Sequence, residues 1–178
     1  MTKISKKTAY LTQAALIAAL YTVLTMIAAG FDLASGAIQV RFSEALTIMP
    51  FFTPAAIPGL TIGCIIANIS SVTAGLGFYD MIFGSLASLL AALAMYGLRN
   101  VRIKNIPFLA LLMPALFNGI IVGLEISIFF TDTGFSLITF LITGGCVALG
   151  ELVVLLVLGI PACILLNKQG KKMGVVLE

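Results

Sequence analysis

The sequence predicts an all-α integral membrane protein, one transmembrane domain over residues 1–178 with six helices and both termini cytoplasmic. Three observations carry that prediction. Apolar residues make up 61% of the chain and charged ones 10%, with a mean hydropathy of +1.18; a soluble domain carries about 25% charged residues, and disorder needs low hydrophobicity. Charged residues divide the chain into uncharged intervals close to one membrane crossing in length or clearly longer. Nine of the ten Lys and Arg fall in three clusters, Lys3/Lys6/Lys7, Arg99/Arg102/Lys104 and Lys168/Lys171/Lys172.

A crossing helix takes about 20 residues to pass roughly 30 Å of hydrocarbon. The 24 uncharged residues between Lys7 and Asp32 hold the first helix, read as 8–30. The interval from Ala45 to Tyr79 has 35 residues, too many for one ordinary crossing, and Pro50, Pro54 and Pro58 interrupt its first half. Proline breaks helix continuity, so this stretch is read as a short helix, 42–53, and a second, 55–73. The 18 residues between Asp80 and Arg99 give a fourth helix at 80–98, and the 20 between Lys104 and Glu125 a fifth at 107–130. The interval from Thr133 to Asn167, interrupted by Glu151 and by Gly144 and Gly145, is read as one long or kinked helix, 135–167.

Parity supports this division. The positive-inside rule places all three basic clusters in the cytoplasm, which needs an even number of crossings between successive clusters. Splitting 45–79 gives four crossings and then two; reading it as one would export Arg99, Arg102 and Lys104. The N-terminus has the basic and apolar pattern of a signal peptide, but its run is crossing-length and the parity count uses it as a helix.

Several chemistries are excluded. With no His, no Trp and three scattered Cys at 64, 146 and 163, the chain offers no zinc or haem ligand set and no CxxC pair, so no metal and no cofactor are expected. It lacks the GxxxxGK[ST] phosphate loop, a Ser/His pair and paired catalytic aspartates, and is read as no enzyme.

Polar residues inside the predicted helices mark the site, because a charged side chain at mid-helix costs at least about 2.5 kcal/mol to insert. Depth counting at 1.5 Å per residue puts Asn118 near the midplane, Asn68 and Glu151 in the outer half and Glu125 near the outer surface. Arg41, Glu44 and Asp80 begin helices on that side. The cytoplasmic halves hold almost no ionisable groups, which predicts a closed-bottomed pocket open to the outside rather than a channel. Asn118 and Glu125 stand two turns apart on one face, and Arg41 can pair with Glu44 at i+3 or with Glu125. The acids Glu44, Asp80, Glu125 and Glu151 outnumber Arg41, so a cation or a ligand rich in N–H donors is expected. Phe42, Phe78 and Tyr79 at the rim can stack on a flat ring or anchor at the interface.

The first helix carries small residues at spacing four, Ala14, Ala18 and Thr22 with Ala15 and Ala19 beside them. Such stripes admit a second helix, from the same bundle or from a partner. Gly59/Gly63 and Gly119/Gly123 repeat the spacing and are read as internal packing. The residues alone also fit a self-sufficient secondary transporter or exporter, dimeric through Gly59 and Gly63.

Several segments, in this order, resemble a known family: Gln39 through Arg41, Phe42 and Glu44 to Leu46, continuing past Pro50 and Ile57–Gly59 to Asn68; Gly75–Asp80 with Phe83–Leu86; Asn118 with Gly123–Glu125; and Ala148–Glu151 with Gly159–Pro161. The chain resembles the substrate-binding (S) components of energy-coupling factor (ECF) transporters, specifically the QueT family assigned to queuosine precursors. The resemblance implies a prokaryotic plasma-membrane protein with an external pocket for a vitamin-like solute. It implies a coupling transmembrane protein (T component) with two cytoplasmic ATPases as partners, docked on Ala14, Ala15, Ala18, Ala19 and Thr22. A queuosine precursor such as 7-aminomethyl-7-deazaguanine or queuine would meet residues from Gln39, Arg41, Glu44, Asn68, Phe78, Tyr79, Asp80, Asn118, Glu125 and Glu151. Carboxylates would take its guanine-like N–H edge and its ammonium, and an asparagine its ring carbonyl.

Overall fold

The structure, a computed structural model, describes residues 5–31, 41–73, 78–101, 108–131 and 134–172. Its elements are all helical: α1 (Lys6–Gly30), a 3-10 helix (Phe42–Phe51), α2 (Ala56–Thr73), α3 (Tyr79–Leu98), α4 (Phe108–Phe129), α5 (Leu137–Val154), a π segment (Leu155–Gly159) and α6 (Ile160–Lys172). Ser5 caps α1 by accepting from the Thr8 amide at 3.2 Å. Pro58 sits in the first turn of α2, where its missing N–H leaves no bond unmade.

Contacts give the direction of every element. Gly59 lies against Ala14 and Gly63 against Ala18, so α1 and α2 run parallel. The 3-10 helix returns between them, with Ser43 bonded to Thr25 and Glu44 to Tyr21 at one end and Thr53, just past its other end, bonded to Gln13. Gly84 against Asn68 makes α3 antiparallel to α2, Phe129 against Tyr79 does the same for α4, and Ala148 against Gly119 for α5. The chain therefore reverses at each connection, and the basic ends at Lys6 and Lys7, Arg99 and Lys172 gather at one end of the bundle. Helices α1 to α5 form a row of sequential neighbours curled around the 3-10 helix, which touches all five and the π segment.

The helices fall close to their predicted places, with two departures in kind. Residues 42–51 form a 3-10 helix, not an α-helix. At three residues per turn it stacks Glu44, Thr47 and Pro50 on one buried face, and the Thr47 hydroxyl donates back to the Glu44 carbonyl at 2.6 Å. At roughly 2.0 Å per residue it covers only about 20 Å, short of the hydrocarbon thickness. Among the described residues, four helices are long and apolar enough to cross a membrane, at Lys6–Gly30, Tyr79–Leu98, Phe108–Phe129 and Leu137–Leu166, with a shorter apolar stretch in α2 at Ala56–Ile69.

The second departure lies in the last helix, which passes through Gly144 and Gly145 without a break and widens into the π segment. Pro161 follows it after one intervening residue, and its ring would collide with the carbonyl four residues back in a regular α-helix. The π segment loosens that turn, and Gly159 admits Ile48 of the 3-10 helix, whose Cγ2 would lie 3.4 Å from an added Cβ.

Glycines fix two other seams. A Cβ at Gly63 would stand 2.9 Å from the Ala18 carbonyl, and one at Gly123 would stand 2.5 Å from the Gly144 Cα. Gly59 and Gly63 thus face α1 inside the bundle and are unavailable to a dimer built on them. Toward the basic end, Ile48, Met95, Ala110, Leu111 and Leu155 close the interior with an apolar floor.

Candidate functional site

Above that floor lies a cavity of about 30 Å³ lined by Arg41, Glu44, Cys64, Gly84, Ser88, Asn118, Val122, Val147 and Glu151. Five elements contribute, the 3-10 helix and α2 to α5, because that part of the row and the central 3-10 helix converge at this level. Of the predicted residues, the cavity unites Arg41, Glu44, Asn118 and Glu151.

Two carboxyl groups dominate it. Glu44 accepts a hydrogen bond from the Tyr21 hydroxyl at 2.5 Å, and Glu151 accepts one from the Asn118 amide. Both carboxyls line the same cavity. Each uses Oε1 toward its protein donor, and Oε2 of each is buried without a partner. Unmet buried acceptors are costly, so this cavity is complementary to a ligand with N–H donors or positive charge.

Arg41 is bound elsewhere. Its guanidinium donates to Asn68 Oδ1 at 3.3 Å and pairs with Asp80 at 3.5 Å, while Asn68 donates to the Asp80 carbonyl at 3.0 Å. This junction ties the start of the 3-10 helix to α2 and α3, and its ion pair is with Asp80 in place of the expected Glu44 or Glu125. A Cβ at Gly84 would stand 2.9 Å from Asn68 Nδ2, so the glycine lets the amide reach across. Asn68 and Asp80 brace the site and do not line the cavity.

Glu125 is buried, with Oε2 unpartnered, and is not in the cavity wall. One turn beyond it Phe129 stacks on Tyr79, ring centroids 4.1 Å apart and planes 15° from parallel, with Phe83 alongside. Phe78 is 63% exposed and Phe42 half-buried; Gln39 lies outside the described residues. In α1, Ala14 and Ala18 are buried against α2 and Thr22 donates to the Ala18 and Gly63 carbonyls, whereas Ala15 and Ala19 are exposed.

Sequence reasoning missed Tyr21, Cys64, Gly84, Ser88, Val122 and Val147 as parts of this site. Tyr21 had a signal, a phenol at the middle of an apolar helix, which needs an acceptor when buried. The small and apolar wall residues had none.

Comparison with known proteins matches residues 11–168 to the family described as QueT transporter. The queuosine precursor transporter QueT of Lactococcus lactis subsp. cremoris (strain MG1363) is 32% identical over 161 residues, covering 89% of this chain and 90% of that protein. No solved structure matches. The aligned region runs from the second turn of α1 into the last helix and takes in the whole cavity and the junction that braces it: the chain belongs to the QueT transporter family.

Proposed function

We propose that this chain is the substrate-capture component of an ECF-type importer, taking up a queuosine precursor of the 7-deazaguanine type outside the cell and passing it to an ATP-driven coupling module. The observation that carries this reading is the facing pair Glu44 and Glu151, each with a buried unpartnered oxygen. A guanine-like edge presents adjacent N–H donors that such oxygens accept, and Asn118, already against Glu151, is placed to meet the ring carbonyl. The relative's name supplies the solute class.

Orientation follows from charge. With the basic ends gathered at one end, the positive-inside rule puts both termini in the cytoplasm and the Tyr79–Phe129 end outside, in the plasma membrane of a prokaryotic cell. The 3-10 helix and α2 then complete six layers, the 3-10 backbone being shielded by protein rather than lipid. The apolar floor separates the cavity from the cytoplasm, which suits capture and hand-over better than a pore. The chain carries no phosphate-binding loop, so ATP hydrolysis falls to partner subunits, and the exposed Ala15 and Ala19 of α1 offer the close-approach surface for a coupling protein.

A cavity of about 30 Å³ holds one or two waters. Loading a bicyclic base therefore requires the elements around it to part.

Binding of 7-aminomethyl-7-deazaguanine to the purified chain in detergent tests the proposal, with guanine and riboflavin as controls. A 1:1 complex of submicromolar Kd, about −8 kcal/mol or better, is expected, weakened at least tenfold in Glu151→Gln. A folded sample that ignores the deazaguanine would remove the substrate assignment.

A further inference from the structure

We infer that Glu125, beneath the paired rings of Tyr79 and Phe129, is the acid that reads the charged side arm of the solute, separately from the pair that reads its flat edge. The inference rests on the reading above and divides its site into two levels.

Four residues of α4 make one stripe. Asn118, Val122, Glu125 and Phe129 recur at helical spacing on a single face; the first two line the cavity and the last forms the ring stack. Glu125 thus stands between the cavity and its aromatic cover. Seven residues at 1.5 Å put it about 10 Å outward of Asn118, comparable with the long dimension of a bicyclic base carrying a one-carbon arm. The facing helix agrees: Phe83 opposite Phe129 and Ala87 beside Val122 bring Gly84, a cavity residue, level with Glu125.

Outward is the less obstructed direction for the cavity to enlarge. Ile48, Met95, Leu111 and Leu155 block the other direction, whereas Tyr79 and Phe129 are 45% and 42% exposed and held by ring stacking. Enlargement toward those rings reaches Glu125, whose buried Oε2 has no partner. A primary ammonium entering there gains that oxygen, which favours a cation. Asp80 and Arg41 are the other charges within its electrostatic reach, and they are paired with each other.

The test compares two probes, 7-aminomethyl-7-deazaguanine and the same ring bearing a nitrile in place of the aminomethyl arm. In Glu125→Gln the preference for the amine over the nitrile should fall at least tenfold; in Glu151→Gln both affinities should fall together, keeping the ratio within about threefold. An unchanged ratio in a Glu125→Gln variant that still binds overturns the inference. Should that variant not fold, carbodiimide coupling of the amine probe to the unmutated protein decides: an amide at Glu125 supports the assignment, and one at Glu44 or Glu151 overturns it. If neither probe binds the folded unmutated chain, the solute assignment itself fails, an outcome distinct from both.

Discussion

Arg41 shows how one side chain holds a site without entering its chemistry. It sits at the head of the 3-10 helix, and its bonds to Asn68 and Asp80 fix where Glu44 points one turn later. Both members of the pair are nearly buried, at 13% and 12% exposure, and removing one partner of a buried pair costs about 3–5 kcal/mol because the other charge is left unmatched. Asp80→Asn is therefore expected to destabilise the detergent-purified protein by about 3 kcal/mol, read as a lowered thermal midpoint, and Arg41→Met with Asp80→Asn should recover part of that loss. No recovery in the double variant would mean that the two side chains act independently. The acids were legible from sequence because charges in apolar runs stand out. Their pairing was not, since Asp80 and Arg41 lie 39 residues apart and meet only when α3 folds back along α2.

Among the elements, the seam between α4 and α5 is set by missing side chains. Gly119 and Gly123 on one helix and Gly144 on the other bring the backbones together, and the same approach lets Asn118 reach Glu151. A methyl group at Gly123 has no room, so Gly123→Ala should cost about 1–3 kcal/mol and weaken ligand binding through the displaced Asn118 and Glu151. Stability and affinity measured on the same sample check this, and full retention of both would contradict the close-packed seam. Helix boundaries were readable from charge spacing, proline placement and parity to within about five residues. The 3-10 and π geometries were not, because hydrogen-bond register in these two stretches depends on how Ile48 and Gly159 meet, a tertiary fact. Equally, the sequence reading could place Glu125 and Glu151 at a depth but could not assign the cavity to one and the cover to the other, which depends on helix rotation.

For the whole molecule, reversal at every connection gives the bundle two chemically distinct ends, one basic and apolar-floored, the other carrying the acids and exposed aromatic rings. The first helix also has two faces. Ala14 and Ala18 pack inward on α2, and Ala15 and Ala19 look outward. Under the proposed coupling, Ala15→Trp with Ala19→Trp should keep solute affinity within twofold and reduce co-purification with the coupling protein at least tenfold. Ala18→Trp, aimed at Gly63, should instead lower the thermal midpoint. Undiminished co-purification of the outward double variant would move the docking surface off α1. Small residues at spacing four were visible in the sequence, but inward and outward faces differ by only one residue of register, too little to separate without the neighbouring helix.

The hydrogen bond from Tyr21 to Glu44 joins the outward-facing helix to the solute cavity. Energy exchanged along such a link is symmetric: if filling the cavity changes how tightly α1 is gripped, gripping α1 changes solute affinity by the same factor. A coupling protein that prefers the loaded chain must therefore tighten its hold on the solute when it docks, and a partner that loosens that hold must prefer the empty chain. Under the proposed coupling, a partner of the first kind cannot release the solute by docking alone, and release then has to be driven by a further change of state in the assembly.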